Sequence, residues 1–367
     1  MSCGTSGDRV MAERFENFHP PPQDEVDLWK LSRARGQIVR FADDDQLSPS
    51  CDHDCASSLG HDLEPTVDRH DDDEVFEDLT PTAVYVDQFG HYEEAPNGRS
   101  GSFRSPTTID CARDGRLAVV DADSGSVQMF ARNGDYLLRF RVVGARAACF
   151  IDDATRGESL AVATNNGVSI CDETGRVNKH LPIGTDLVAV APLHHGGGVF
   201  VAAHRNRLTV CDRYKPTAVL RSVSSVRPLN APIGHPGVQF IDIVAVATTA
   251  TPRVYVIDAT VVVAVDIDRG TVLQCVAATE SRLLRQPCAV TVDLVTGNVL
   301  VCDAITRRVM QFDAEVDSGG RCCVVQLADD GGRCVALAAG PRGPDGHQLV
   351  YVVYRSQCMA EVRMYQI

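Results

Sequence analysis

The sequence Phe103-Arg-Ser-Pro-Thr-Thr-Ile109 is followed by Asp114-Gly-Arg-Leu-Ala-Val-Val-Asp121, then by Ser124-Gly-Ser-Val-Gln-Met-Phe130 and Asn133-Gly-Asp-Tyr-Leu-Leu-Arg-Phe140. Four short runs rich in apolar and β-branched residues are separated here by turns that contain Gly, Asp or Asn. Runs of this length bounded by turn residues are typical of antiparallel strands. The stretch therefore predicts one sheet of four strands, ordered along the chain from an inner to an outer strand.

A second copy of this pattern lies near the carboxyl terminus. It reads Leu284-Arg-Gln-Pro-Cys-Ala-Val-Thr-Val292, then Thr296-Gly-Asn-Val-Leu-Val-Cys-Asp303 and Arg308-Val-Met-Gln-Phe312. Weaker copies follow the same order of runs and turns over Ala148–Leu181, Leu187–Leu220, Phe240–Val276 and Cys334–Ile367. Copies spaced by about 40 residues are typical of a β-propeller, in which each copy forms one blade. The sequence therefore predicts an all-β, six-bladed β-propeller over residues 82–367.

The shared pattern resembles the NHL-repeat family, which is named for an Asn-His-Leu triplet between the second and third strands. In this chain the triplet is replaced by Ser124-Gly-Ser in the first copy and by Ile305-Thr-Arg in the fifth. The likeness rests instead on the Asp that ends the second strand, as in Asp121 and Asp303, and on a Val-x-x-Phe third strand. In character the chain is closest to the propellers of tripartite-motif and brain-tumour-like proteins. The resemblance implies four-stranded blades of the NHL type.

Only three strands fit into the last copy. Upstream of the first copy, Val84-Tyr-Val-Asp-Gln-Phe-Gly-His-Tyr92 has the apolar run and the Gly turn expected of an outer strand. A strand supplied from this segment would pair the open edge of the last blade. We therefore expect residues 84–92 to close the ring.

The acidic charge of the chain is confined to its first quarter. The whole chain has a net charge of −14, but residues 1–94 hold seven basic and 23 acidic residues, so residues 95–367 carry +2. Residues 1–81 lack apolar periodicity and include Pro20-Pro21-Pro22 and Asp71-Asp72-Asp73-Glu74. High charge with few large apolar side chains cannot offset the conformational entropy lost on folding. We predict a disordered acidic amino-terminal region over residues 1–81.

Two short motifs lie in this region. Val39-Arg-Phe41 resembles a phosphatase-docking linear motif of the V-x-F type, and such a segment can add as a strand to the sheet of a partner. Cys51-Asp-His53-Asp-Cys55 contains residue types that bind zinc, but it lacks the C-x-x-C spacing and a second pair of ligands. Val39 and Phe41 are therefore candidate partner-binding residues, and we predict no metal site.

The sequence also argues against membrane, secreted and enzymatic classes. There is no secretory signal, and no run reaches the roughly 18 apolar residues of a membrane span. The 14 Cys are then expected to be reduced, and Cys171 and Cys211 occupy core positions of third strands. No G-x-S-x-G, P-loop or H-E-x-x-H motif is found. We predict a cytoplasmic protein that is not an enzyme and has neither a cofactor nor a small-molecule substrate.

The positive charge of the propeller is concentrated at one end of the ring. The turns after the second strands and the connections between blades share this end, and by our assignment they hold 14 Arg against eight acidic residues, whereas the other end sums to −2. Arg suits bidentate contacts with phosphates and carboxylates. The residues predicted to form a binding face are Arg146, Arg205, Arg207, Arg282, Arg285, Arg307, Arg308 and Arg355.

The resemblance implies three alternative functions. The first is an adaptor that recognises a protein partner, including components of ubiquitin-ligase-linked regulation, although this chain has none of the RING and B-box modules that carry ligase chemistry. The second is a post-transcriptional regulator that binds single-stranded RNA on the Arg-rich face. The third is a metal-dependent lyase of the amidating type. Aromatic residues for base stacking are scarce in the predicted turns, which favours a protein partner over RNA.

Overall fold

The structure is a computed structural model, which describes residues 82–92, 101–151, 158–193, 198–215, 219–227, 237–249, 251–278, 284–313, 321–327, 331–343, 345–357 and 359–367. These residues form strands and turns, with no helix among them. In chain order the strands are β1 (Val84–Phe89), β2 (His91–Tyr92), β3 (Ser102–Phe103), β4 (Pro106–Cys111), β5 (Leu117–Asp121), β6 (Ser126–Phe130), β7 (Tyr136–Arg141), β8 (Ala147–Ile151), β9 (Ser159–Thr164), β10 (Gly167–Cys171), β11 (Val177–Leu181), β12 (Leu187–Pro192), β13 (Val199–His204), β14 (Arg207–Asp212), β15 (Val219–Val223), β16 (Ser225–Val226), β17 (Val238–Gln239), β18 (Ile243–Thr248), β19 (Arg253–Asp258), β20 (Val261–Asp266), β21 (Thr271–Ala278), β22 (Pro287–Val292), β23 (Val299–Asp303), β24 (Arg308–Phe312), β25 (Arg321–Gln326), β26 (Arg333–Arg342), β27 (Gln348–Arg355) and β28 (Ala360–Gln366).

Twenty-four of these strands form six four-stranded antiparallel sheets. The sheets are β4 to β7, β8 to β11, β12 to β15, β18 to β21, β22 to β25, and β26-β27-β28-β1, which we number blades 1 to 6. The inner strands contact one another in the order β4, β8, β12, β18, β22, β26 and back to β4, so the ring is closed. The all-β, six-bladed propeller predicted from the sequence is therefore confirmed.

The closing strand is the one that the sequence predicted. Strand β1 pairs antiparallel with β28, from Val84 opposite Gln366 to Phe89 opposite Val362. The pairing holds the carboxyl-terminal strand of blade 6 between β27 and β1. The ring of Phe89 lies 4.7 Å from that of Phe130 in blade 1, which joins the closing strand to the first blade.

The core consists of six clusters of buried apolar side chains, one between each pair of neighbouring blades. The third strands contribute Phe130 and Phe312 in the two clear copies and Cys171 and Cys211 in two weaker ones, and all four side chains are buried. The sequence interpretation of these two Cys as core residues is confirmed. Free thiols are small and apolar enough to replace a ring at such a position.

The order of strands determines which turns share an end of the ring. Because the chain passes through each blade from the inner to the outer strand, the turns after second strands and the connections between blades lie at one end. The turns after first and third strands lie at the other. The pairing of Val84 with Gln366 places the beginning of β1 towards this second end.

Candidate partner-binding face

The structure brings seven of the eight predicted Arg residues to the same end of the propeller, which we call the Arg face. Arg205, Arg207, Arg307, Arg308 and Arg355 lie in or beside turns after second strands, and Arg146 and Arg285 lie in connections between blades. Arg282 lies outside the described residues, as do Val39 and Phe41 of the amino-terminal motif. Whether these residues bind a partner stays a prediction.

The most exposed members of this set are Arg146, Arg205 and Arg285. The side chain of Arg205 is 70% exposed, and its Nη1 lies 3.7 Å from a carboxylate oxygen of Asp242. Arg146 stands at the mouth of the central channel, where its Nε donates to Oδ1 of Asn165 at 2.7 Å. These guanidinium groups are therefore presented to solvent with most of their donors available.

Other members of the set also have structural contacts. Nε of Arg308 donates to Oε1 of Gln326 at 2.8 Å, across strands β24 and β25. Nη1 of Arg355 donates to Oγ of Ser105 at 2.8 Å, which ties blade 6 to the beginning of blade 1. Arg307 has a positive φ of 56° in the turn between β23 and β24. These three are half-buried, so they contribute charge to the face but fewer free donors.

The Asp that ends the second strand has a structural role, which the sequence pattern did not reveal. In blade 5, Asp303 is fully buried, and its Oδ2 accepts hydrogen bonds from the N–H groups of Arg285 and Gln286, both at 2.6 Å. Its Oδ1 accepts from the N–H groups of Ile305 and Thr306, at 3.0 and 2.8 Å. One carboxylate thus holds two loops of the Arg face in place.

The same device recurs in two other blades. Asp121 accepts from the N–H groups of Arg104 and Ser105, which precede the inner strand of blade 1, at 3.1 and 2.7 Å. In blade 4, Oδ1 of Asp258 accepts from the two N–H groups that precede the inner strand, at 2.9 and 2.8 Å. In blade 3 the residue that ends the second strand is His204, whose Nδ1 lies 2.8 Å from the carbonyl oxygen of Thr185. Burial lowers the pKa of this imidazole.

These contacts determine which charged groups of the face are exposed to solvent. Three of the eight acidic residues expected there, Asp121, Asp258 and Asp303, are buried and bonded to backbone N–H groups. Their carboxylates therefore face backbone N–H groups and not solvent. Three further Arg that belong to this end, Arg104, Arg141 and Arg333, are exposed.

Exposed aliphatic side chains lie among these Arg. Val143 is 78% exposed, Ile305 is 50% exposed and Ile241 is 40% exposed, each in a turn or connection of the Arg face. The exposed aromatic side chains of the described residues are Tyr85, on the outer strand β1, and Tyr214, in a turn at the opposite end. The described part of the Arg face therefore offers aliphatic contacts and hydrogen-bond donors but no exposed Phe, Tyr or Trp ring.

A central channel of about 1050 Å³ runs between the six inner strands. Its wall is mostly small and apolar, with Thr107, Arg146 and Asn165 near the Arg face. Asp110 lies further along the wall and accepts a hydrogen bond from the N–H of Phe150 at 2.7 Å. Burial raises the pKa of this carboxyl to about 7.

Three Cys side chains converge at the junction of blades 5 and 6. The Sγ atoms of Cys288, Cys302 and Cys334 lie within 4.8 Å of one another, and Cys288 also lines the channel. Contact with the other two thiols lowers the pKa of Cys288, whereas burial raises the pKa of Cys302 and of Cys334. The sequence analysis missed this group because its members are separated by 13 and 31 residues and belong to three strands. Their convergence depends on the contact between two blades.

No protein-family model matches this chain, and no curated protein matches its sequence. Among solved structures, the chain is similar to the WD40 domain of Pan2 from Neurospora crassa, with 13% sequence identity and a TM-score of 0.46, over 76% of this chain and 94% of that one. In the described part of the chain, no helix has the length and hydropathy that a membrane crossing requires.

Proposed function

We propose that this propeller is a non-catalytic interaction module that binds an acidic segment of a protein partner across the Arg face. In this proposal the chain acts as an adaptor of the NHL-repeat type, and components of ubiquitin-ligase-linked regulation are among the partners to test. The resemblance in the repeat pattern suggests this class, and the chemistry of the face narrows it to an acidic partner.

The observation that carries the proposal is the separation of charges at this end of the ring. Asp121, Asp258 and Asp303 are turned inwards onto backbone N–H groups. Asp123, Asp186 and Asp242 remain at the surface of this end, where they are outnumbered by the exposed Arg104, Arg141, Arg146, Arg205, Arg285 and Arg333. Guanidinium groups form bidentate hydrogen bonds with carboxylates, and interfaces are enriched in Arg. The exposed Val143, Ile241 and Ile305 add the apolar contacts that a folded or extended peptide would cover.

Single-stranded RNA is the second candidate, because all described residues of the predicted binding face are Arg. Arg also binds phosphates and stacks on bases. Sequence-tolerant binding of single strands usually relies on aromatic rings, worth about 1–3 kcal/mol per stacked base. The exposed apolar side chains of the described face are aliphatic, with no Phe, Tyr or Trp among them, so we favour the acidic protein partner.

A paired charge reversal tests the choice of face. Arg205→Glu with Arg285→Glu changes two exposed side chains of the Arg face, whereas Arg176→Glu with Arg269→Glu makes the same change of charge at the opposite end. Tagged full-length protein is used to capture partners from a nuclease-treated extract, and captured proteins are identified by mass spectrometry. We expect the first variant to lose partners that the wild type and the second variant retain. Equal loss in both variants, or no loss in either, would overturn the proposal.

Salt dependence separates the protein partner from RNA. The wild type is titrated with a fluorescent single-stranded oligonucleotide and with a fluorescent poly-glutamate peptide at two salt concentrations. Binding of single strands through phosphates predicts a slope of log K against log salt near −0.7 per contact. Tighter binding of the oligonucleotide than of the peptide at both salt concentrations would favour RNA.

A further inference from the structure

The thiols of Cys288, Cys302 and Cys334 form the densest group of metal-binding side chains in the described part of the chain. Cys288 is on the inner strand β22, Cys302 on the second strand β23, and Cys334 on the inner strand β26 of the next blade. Sγ of Cys288 lies 3.4 Å from the carbonyl oxygen of Cys302 and 3.3 Å from that of Cys334. None of the three thiols forms a disulfide bond.

Two of the three thiols lie at an irregularity of an inner strand. The register of β22 shifts between Pro287 and Ala289, and that of β26 shifts between Cys334 and Ala336. The inner strands of blades 1, 3 and 4 shift at the same place, so this bulge belongs to the repeat. Cys288 is the extra residue in blade 5 and Cys334 directly precedes the extra residue in blade 6, and the thiols of both lie at the junction between these two blades.

The spacing suits a tetrahedral metal ion. Zinc binds Cys sulfur at about 2.3 Å, which places two sulfur ligands of a tetrahedral site roughly 3.8 Å apart. The three Sγ atoms lie within 4.8 Å of one another, which is at most about 1 Å more than this distance. Rotation of a Cys side chain about χ1 moves its sulfur by more than this difference.

We propose that Cys288, Cys302 and Cys334 bind one Zn²⁺ ion, with the fourth ligand position open to the central channel. Cys302 and Cys334 are buried in the cluster shared by blades 5 and 6, whereas Cys288 lies on the channel wall. Three protein ligands with an open position are typical of zinc sites that accept water or another ligand. Each thiol releases its proton to solvent on binding, so three thiolates and the ion carry a net charge of −1. This charge lies near Arg333, the neighbour of Cys334 in the chain, and also near the carboxylate of Asp303.

The consequence for the fold is a metal link between two blades. The ion would join strands β22 and β23 of blade 5 to β26 of blade 6, in addition to their shared apolar cluster. Since a metal that binds only the folded state stabilises it, zinc at 100 times its Kd should raise the melting temperature by about 5 °C. This inference does not depend on the function of the Arg face.

The test uses the full chain, purified under reducing conditions and stripped of metal with a chelator. Zinc is titrated in competition with a chromophoric chelator, and Co²⁺ is added separately to record the thiolate-to-cobalt charge-transfer bands and the d–d bands of a tetrahedral site. Wild type should bind one equivalent of each ion. Cys288→Ala should lose more than about 100-fold in zinc affinity, since even changes in residues that only support metal ligands cost 10–100-fold.

Two control variants show where the ion binds. Cys149→Ala removes a buried thiol from the inner strand of blade 2 and should bind zinc like the wild type. Cys51→Ser with Cys55→Ser removes the thiols of the amino-terminal Cys51-Asp-His53-Asp-Cys55 motif and should also retain the site. Cys288 is partly exposed, so its variant is expected to fold, and its circular dichroism spectrum checks this. Retained affinity in Cys288→Ala, loss in Cys51→Ser with Cys55→Ser, or no stoichiometric binding in the wild type would each overturn the proposal.

Discussion

Replacement of Asp303 by Asn tests whether this buried carboxylate organises the Arg face. The carboxylate accepts four backbone hydrogen bonds, two on each oxygen. Asn keeps one acceptor oxygen, and its NH₂ group would point hydrogen-bond donors at the other two N–H groups. A hydrogen bond to a charged group contributes about 1.5–3 kcal/mol, so two lost bonds predict a loss of about 3–6 kcal/mol in the free energy of unfolding.

Asp121→Asn is the matched control. Each oxygen of Asp121 accepts one N–H group, so the variant loses one bond, at a cost of about 1.5–3 kcal/mol. The free energies of unfolding are measured by urea denaturation followed by circular dichroism, with melting temperatures as a second measure. At about 2–4 °C per kcal/mol, the melting temperature of Asp303→Asn should fall by roughly 10 °C.

A local measurement checks the mechanism separately from global stability. Amide hydrogen exchange at Arg285, Gln286, Ile305 and Thr306 should accelerate in Asp303→Asn more than exchange at the remaining strands of blade 5. If Asp303→Asn were no less stable than Asp121→Asn, or if these amides kept their protection, the assignment of Asp303 as the organising residue would be wrong.

Three further predictions concern the channel and the closing strand. Burial raises the pKa of Asp110 from its ordinary value of 3.8 to about 7, so the folded state binds more protons than the unfolded state between these values, and the stability falls as the pH rises from about 4 to about 7. Between pH 5 and pH 8 the wild type should therefore lose about 3 kcal/mol more than Asp110→Asn in urea denaturation, and equal losses would contradict this. Deletion of residues 1–92, which removes β1, should lower the melting temperature sharply, whereas deletion of residues 1–81 should not; equal melting temperatures for the two deletions would refute the role of β1. Gly90 has a φ of 81°, and a Cβ at this position would collide with the ring of Phe103. Gly90→Ala should therefore destabilise the protein in urea denaturation, and an unchanged denaturation midpoint would count against this packing.

The repeat, the number of blades and the closing strand could be predicted from the sequence because strands and turns depend on local patterns. Alternation over five or six residues identifies a strand, and the Gly and Asn residues between runs identify turns. The spacing of copies then determines how many blades can form. The unpaired edge of the last copy pointed to residues 84–92, and the pairing of β1 with β28 confirms this.

The roles of single residues within the pattern were harder to predict. Asp121 and Asp303 were recognised as marks of the repeat, but their sequence positions do not show which groups they bond. Their partners are N–H groups 16 to 18 residues earlier, and for Asp303 also two and three residues later. A charge count from the sequence includes these carboxylates in the Arg face, whereas the fold turns them inwards onto backbone N–H groups.

The residues alone are enough to predict the class of fold, the end of the ring at which the Arg residues gather and the core positions of Cys171 and Cys211. Each of these follows from the order of strands and turns within one repeat. The packing of the blades determines which Arg are exposed, which carboxylates bond to backbone N–H groups, and that Cys288, Cys302 and Cys334 meet. These contacts join residues of different strands, turns and blades. Their distances depend on how sheets twist and pack against one another, which no local pattern of residues records.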